Sequence, residues 1–486
     1  MARPGSVAEA PAVEAVRSEP VGARRARLRG WALVGAAALV AVLGIAAALR
    51  FVGIEYGTPF ALLSPDEASI VPRAWLMVHG GGADPHWFDY PGLLIYLLAP
   101  FQAWQAEPTY LDARLLIVFI GLGTVAASWW LGLRAYGRAA AVVAAAVVAV
   151  ETTHVAYSHM AVTDVPLTLA VAVALALMVT GRIELAGLAV GLACGVKYPG
   201  VFLLVPLVVA AWGRWRRLAI AAVIAAAAFV ASNPFFFVHA GQAFGDAWRV
   251  QRLAQRGWLG FEHDSVAPIA FLDRLWTGFG PVLAVAVIGL GVALVRRRRS
   301  DLILASFVLV YFASLMTLDA HFSRYVLPLV PPLAVLAGRL RALVPVTLVL
   351  LAFPLVWSIQ DDIRLTRTDT RIRAHTWIER HVPHGARVAV EPSTPALTGF
   401  RVLQLELPGP QSRLDPNRSV PRLEQAGVRY VVVTGAVADR VLRAPSRYPA
   451  EARFYDALAA GARRAYYARP GGDLSGPWIA VYRLYS

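Results

Sequence analysis

The sequence predicts a mainly α, polytopic membrane protein of about eleven transmembrane helices followed by a C-terminal extracytoplasmic α/β domain. Three observations carry this reading. Hydrophobic residues make up 58% of the 486 residues and charged residues only 16%, against about 25% charged in soluble proteins. The apolar residues gather in long runs with arginines between them, and after about Gln360 the chain turns polar with short alternating segments. The composition excludes a disordered, collagenous or coiled-coil chain. The lone cysteine, Cys194, excludes an internal disulfide. A net charge of +15 would suit nucleic acid only if the basic residues shared one folded face. Clustered between apolar runs they read as membrane anchors, so the bilayer is the expected partner and nucleic acid is not.

Residues 1–30 read as a cytoplasmic basic tail. Arg24, Arg25, Arg27 and Arg29 precede the apolar run Trp31 to Arg50, which places the amino end in the cytoplasm by the positive-inside rule. That run exceeds the ~7 to 15 residues of a signal-peptide core, so it reads as an uncleaved first helix. Further spans are expected near residues 113–133, 139–155, 164–180, 183–197, 199–212, 218–232, 281–295, 302–317, 325–338 and 342–358. Leu93 to Gln105 is apolar but short and carries Pro100, which suits a helix lying at the interface. Left unspanned, it keeps Arg134 and Arg138, Arg182, Arg214 with Arg216 and Arg217, Arg296 to Arg299, and Arg339 with Arg341 on the cytoplasmic side. The transmembrane domain is then 31–358, with outer loops 51–112 and 233–280, and residues 359–486 form the outer domain. Within that domain a helix is expected at 371–380, strands at 388–390 and 430–433, a helix at 450–467 and a strand at 478–482.

This topology collects ionisable residues at the outer face: Asp66, Glu67, Asp84, His86, Asp89, His154, His159, Asp164, Lys197, His239, His263, Asp264, Asp319, His321 and Arg324. Ionisable groups at a membrane boundary are functional candidates, and each also has a plainer reading. Ser64-Pro65-Asp66-Glu67 fits a capping box, which would account for Glu67. Asp89-Tyr90-Pro91-Gly92 fits a turn with aromatic anchoring, and Asp164 fits a helix-start role. Lys197 and Arg324 could snorkel to lipid headgroups. Lys197 is nevertheless the only lysine among 46 basic residues, and a compact ammonium suits phosphate as a point charge. Two cations and several carboxylates at the outer leaflet suit a lipid-linked phosphate: the cations hold the phosphate, and a carboxylate takes the proton of an attacking hydroxyl. This chemistry is glycosyl transfer from a polyprenyl phosphate sugar. A transporter or flippase of polyprenyl-linked sugars would instead carry polar residues through the midplane. A noncatalytic scaffold would not need carboxylates and cations in one layer.

The order of motifs resembles the membrane glycosyltransferases of the GT-C fold. Ser64-Pro65-Asp66-Glu67 is followed by Trp87-Phe88-Asp89-Tyr90-Pro91-Gly92, Thr163-Asp164-Val165-Pro166, Gly195-Val196-Lys197-Tyr198-Pro199-Gly200, Asn233-Pro234-Phe235 and Ser323-Arg324-Tyr325 through Pro328. The chain resembles the dolichyl-phosphate-mannose protein mannosyltransferase-like family, glycosyltransferase family 39, with the aminoarabinose lipid A transferases as relatives. The resemblance implies an inverting transferase at the outer face of the cytoplasmic membrane, moving one sugar from a polyprenyl phosphate donor to the hydroxyl of an unidentified acceptor, whether glycan, lipid or protein. It implies Asp66 as catalytic carboxylate, Lys197 and Arg324 as donor phosphate ligands, and Asp164 as a further acidic position. Glu67 completes the candidate catalytic set, and Tyr90, Tyr198 and Tyr325 are candidates for positioning substrate or loops. Asp89 lies where relatives carry an acidic residue that helps bind a divalent metal, and His263, in Gly260-Phe261-Glu262-His263-Asp264, is the candidate second ligand. The aminoarabinose transferases share Glu-Lys-Pro where this chain has Asp89-Tyr90-Pro91, a departure that bears on both lipid A as acceptor and the metal.

Overall fold

The structure, a computed structural model, describes residues 21–484. The expected tail 1–30 falls largely outside the described residues. All eleven apolar segments are helical. The first half of the bundle comprises α1 (Val21–Phe51), α2 (Pro65–Val78), α3 (Leu93–Gln102), α4 (Tyr110–Ala135), α5 (Arg138–Val150), α6 (Thr152–Tyr157), α7 (Asp164–Val179) and α8 (Ile183–Val196). A 3-10 turn at Tyr198–Leu203 leads to α9 (Leu204–Ala210), α10 (Trp215–Ser232), α11 (Pro234–Val238), α12 (Ala240–Gln255), α13 (Ala267–Phe279), α14 (Val282–Arg296) and α15 (Arg299–Leu315). A second 3-10 turn, Ser323–Leu329, precedes α16 (Val330–Gly338), α17 (Val344–Leu350) and α18 (Ala352–Leu365).

Among the described residues, four helical stretches are long and apolar enough to cross a membrane: Val34–Phe51, Tyr110–Ala135, Trp215–Ser232 and Arg341–Leu365. The pair α13 and α14, bent by 116°, would make a fifth. The remaining apolar helices have 10–17 residues, short of the ~20 that span a full hydrocarbon core. They cross-pack tightly. On α8, Gly187, Gly191 and Gly195 face α10, where an added Cβ would come within 2.3, 2.2 and 2.3 Å of Ala221 O, Ala225 O and Ser232 Oγ. A stripe of small residues lets two backbones approach in this way. Here it draws α10, and Asn233 beyond it, against the end of α8.

Helix α3 packs one face on its neighbours. Leu94, Ile95 and Leu98 are buried with Ile70, Val71 and Ala74 of α2 and Ile117 of α4, while Leu97 and Phe101, and Trp104 just beyond the helix, are exposed.

The segment after α18 holds a five-stranded sheet. It contains β1 (Thr368–Asp369), α19 (Thr370–His381), β2 (Arg387–Val390), β3 (Arg401–Gln404), α20 (Val420–Gln425), β4 (Tyr430–Thr434), α21 (Gly435–Arg443), α22 (Pro449–Gly461), β5 (Arg463–Ala468), β6 (Leu474–Ser475) and β7 (Ile479–Arg483). The main sheet has the order β3-β2-β4-β7-β5, parallel from β3 to β4 and antiparallel from there on. One expectation is corrected: the helix read over 450–467 stops at Gly461, and Arg463–Ala468 pairs with β7. Strand partners farther along the chain, from Ala468↔Ile479 to Arg463↔Arg483, decide this. The short edge strand β3 gave no sequence signal.

This α/β segment docks on the loops that lead to the carboxylates. Arg371 donates to the Leu62 carbonyl at 2.9 Å, and the Tyr56 hydroxyl donates to Asp369 at 2.6 Å. On another flank, the Tyr448 hydroxyl donates to Glu262 at 2.5 Å.

Candidate active site

Two carboxylates sit at helix starts. Asp66 is the second residue of α2, whose first turn is fixed by Ser64 accepting the Asp66 backbone N–H at 3.3 Å. Asp164 is the first residue of α7. Amide groups at a helix N-terminus favour negative charge. Two cations come from breaks in helices at the same end of the bundle. Lys197 follows α8 in extended backbone, just before a 3-10 turn that begins with Tyr198-Pro199, and Arg324 lies in the 3-10 turn before α16. Proline prevents both segments from continuing as α-helix from the preceding residues.

The four groups form two adjoining ion pairs. Arg324 Nη1 donates to Asp66 Oδ2 at 2.6 Å, and Lys197 Nζ donates to Asp164 Oδ1 at 2.6 Å. The Tyr90 hydroxyl donates to the same Asp66 oxygen at 3.2 Å. Lys197 Nζ lies 5.3 Å from the Tyr90 ring centre and 5.5 Å from that of Tyr325, within cation–π range, so the two rings join the pairs into one cluster. Burial pushes the Tyr90 phenol well above its usual range, and nearby Asp66 and Asp164 add to this against the pull of Arg324. Tyr90 is therefore a hydrogen-bond donor here and not a base.

Polar capacity in the cluster remains unused. Among the described residues, Arg324 Nε, Asp164 Oδ2 and Thr163 Oγ1 are buried without a hydrogen-bond partner. Buried polar atoms are nearly always paired. A leftover guanidinium N–H beside leftover acceptors suits a ligand that both accepts and donates.

Glu67 is elsewhere. Its carboxylate is fully buried and accepts both arms of Arg114, at 2.8 and 2.9 Å, and the Ala161 N–H at 2.9 Å. The capping-box reading of Glu67 is corrected: its side chain turns away from Ser64 to tie α2 to α4 and to the loop before α7, apart from the Asp66–Arg324 pair. Breaking such a buried pair costs on the order of 3–5 kcal/mol. Glu67→Gln should therefore lower the unfolding midpoint sharply while leaving turnover per folded molecule near wild type, as thermal melts alongside active-fraction measurements would test.

Tyr198 positions a loop, its hydroxyl donating to the Phe88 carbonyl at 2.8 Å. Asn233 accepts the Gly92 N–H at 2.5 Å. Together they hold the segment that carries Tyr90. Of the expected metal pair, Asp89 is engaged by Arg249 while His263 Nε2 meets the Arg443 carbonyl at 2.9 Å. Asp89 and His263 are thus tied to different elements. Sequence reasoning missed Arg114 and Arg249, which are indistinguishable from anchoring arginines until their partners are seen.

Residues 87–318 match the model of glycosyltransferase family 87. The whole chain is similar to ArnT from Cupriavidus metallidurans in the apo state (TM-score 0.59, 16% identity, covering 94% of this chain and 98% of that one). It is also similar to the same protein bound to undecaprenyl phosphate (TM-score 0.57, 16% identity, 93% and 98% covered). The fold is GT-C. The likeness extends to the archaeal oligosaccharyltransferase AglB from Archaeoglobus fulgidus, solved with an inhibitory peptide and a dolichol-phosphate (TM-score 0.52, 12% identity, 86% and 71% covered). No curated protein sequence matches at a significant level. The GT-C fold and the family 87 match support a multi-pass membrane glycosyltransferase.

Proposed function

We propose that this GT-C protein is an inverting glycosyltransferase that moves a single sugar from a polyprenyl phosphate donor to a hydroxyl acceptor on the outer face of the cytoplasmic membrane. The observation that carries the reading is the double ion pair of Asp66 with Arg324 and Asp164 with Lys197, left with an unpartnered N–H and unpartnered acceptors. The neighbours bound to undecaprenyl phosphate and dolichol-phosphate support the carrier. The finer placement in family 39 rests on the motif order alone.

The donor phosphate competes with Asp66 for Arg324 and with Asp164 for Lys197. As it binds, Asp66 is released from Arg324 and becomes available as a base. The acceptor hydroxyl then attacks the anomeric carbon, and the bond from that carbon to the phosphate oxygen breaks with its electrons going to phosphate. The hydroxyl proton passes to Asp66. Phosphate gains one negative charge as Asp66 loses one, so the net charge of the site is unchanged, which matters in a poorly solvated layer.

Sidedness follows from the arginines. Asp164 opens α7, and Arg299 meets its far end at the Met178 carbonyl, 3.4 Å away, about 24 Å along a 16-residue helix. At that far end Arg339 pairs with Asp301 at 2.8 Å and Arg217 with Glu184 at 2.6 Å. Placing this arginine-rich end in the cytoplasm puts the amino terminus there and puts the ion pairs and the C-terminal segment outside, with the eleven helices all crossing.

Purified protein in nanodiscs, given radiolabelled polyprenyl phosphate sugars with added hydroxyl acceptors, or with water taking their place, should pass the sugar to that hydroxyl and release free polyprenyl phosphate. Nucleotide sugars should yield nothing. Turnover of a nucleotide sugar instead would overturn the donor assignment.

A further inference from the structure

Asp89 and His263, the ligands implied by the family resemblance, are engaged by Arg249 and by the Arg443 carbonyl, and a different set of donors converges on the same loop. Asp84, His86 and His239 place one ligand atom each within 4.8 Å of one another. Asp84 Oδ2 lies 2.6 Å from His239 Nε2 and 3.4 Å from His86 Nδ1. Among the described residues no other group of three such donors gathers. We propose that Asp84, His86 and His239 bind a zinc-class divalent cation that staples the first outer loop to the start of α12.

The donor set decides the class. Two imidazoles with one carboxylate suit borderline transition ions such as Zn2+, whereas Mg2+ and Ca2+ take oxygen ligands. Donors about 2.0–2.1 Å from a tetrahedral zinc stand roughly 3.3 Å apart. The separation of Asp84 and His86 is already of this size. The Asp84 to His239 contact is shorter because it is a hydrogen bond, so metal entry displaces its proton and opens it by roughly 0.7 Å. Three protein ligands leave a fourth position for water.

His86 gives the clearest sign that the cluster is built. Its φ is +46°, in the left-handed region that a side chain bearing a Cβ seldom adopts. Its backbone N–H donates to Asp84 Oδ1 at 2.9 Å, which leaves Oδ2 for the two rings. An ordinary Asp84–His239 ion pair would not need His86. The ring is mostly exposed, yet it faces the His239 ring at 5.6 Å between centres.

The staple acts on the active site through Tyr90. Residues 84–86 lead directly to Phe88, Asp89 and Tyr90, and Phe88 packs against His239 at 6.0 Å between ring centres. A bound ion would fix the path of this loop from its solvent side, as Tyr198 and Asn233 do from within. The three ligands are positioning residues.

The test is independent of transferase activity. Tag-free, chelator-stripped protein is titrated with Zn2+ and its metal content measured after dialysis, and Co2+ serves as a spectroscopic reporter of nitrogen and oxygen ligation. Wild type should retain one ion per chain. His239→Ala and His86→Ala should each weaken binding at least about tenfold. His86 lies in an exposed turn, so its variant does not threaten the fold. Asp89→Asn and His263→Ala should bind as wild type does. The proposal is overturned if wild type retains no stoichiometric ion, if His86→Ala and His239→Ala retain it unchanged, or if Asp89→Asn loses it. Failure here would leave the transfer reading standing, because no transfer step passes through the ion.

Discussion

Asp66→Asn should lower turnover at least about a hundredfold, the lower end of what a positioned general base contributes. The substitution keeps the size of the side chain and its place at the second position of α2, where the Asp66 backbone N–H is bonded to Ser64. It removes the only function that the proposed reaction asks of this group, acceptance of a proton. Arg324 would lose its ion pair and be freer for phosphate, so donor affinity should hold or rise. A fall in turnover with unchanged or tighter donor binding is the signature of a lost base. A variant that merely misfolds would lose both together.

The second large effect is expected at the cations. A charge-assisted hydrogen bond contributes about 1.5–3 kcal/mol, so removing Lys197 or Arg324 should weaken use of the donor by roughly 10- to 150-fold. The two substitutions differ in their side effects. Lys197→Ala leaves Asp164 buried, 2% exposed and without its partner, which destabilises the bundle as well. Lys197→Met with Asp164→Asn removes both charges at once and should recover the fold without recovering donor use. Lys197→Arg should not substitute fully, because a planar guanidinium is larger than the ammonium held between the rings of Tyr90 and Tyr325. Normal donor dependence in the double variant would remove Lys197 from the phosphate site.

Much of this cluster was legible in the sequence because helix ends announce themselves. Ser64-Pro65 marks the start that carries Asp66, Pro166 follows the start that carries Asp164, and Pro199 and Pro328 mark the breaks beside Lys197 and Arg324. Once the arginine clusters are assigned to one side, these four residues must lie on the other. That inference does not say who pairs with whom. The side chain of Glu67 was read as a cap because its partner, Arg114, is 47 residues away on another helix. The capping pattern at Ser64 was equally consistent with either direction for its side chain. The grouping of Asp84, His86 and His239 was missed for a similar reason. Asp84, His86 and His239 are ordinary loop residues until the turn at His86 and the start of α12 meet. Short helices were readable as apolar, but whether each crosses depends on what packs around it. Strand β5 was hidden because pairing with β7 outweighs the local pattern of Arg463–Ala468.

The account turns on Asp66 as the base for attack on a polyprenyl phosphate sugar, and a single-turnover comparison in nanodiscs tests it most directly. Wild type and Asp66→Asn are loaded with the same radiolabelled donor, and bound donor and released polyprenyl phosphate are measured together. The expected result is donor bound by both proteins and carrier released at a useful rate by wild type alone. Equal release by the asparagine variant would contradict the role of Asp66, and failure of either protein to bind the donor would contradict the donor itself.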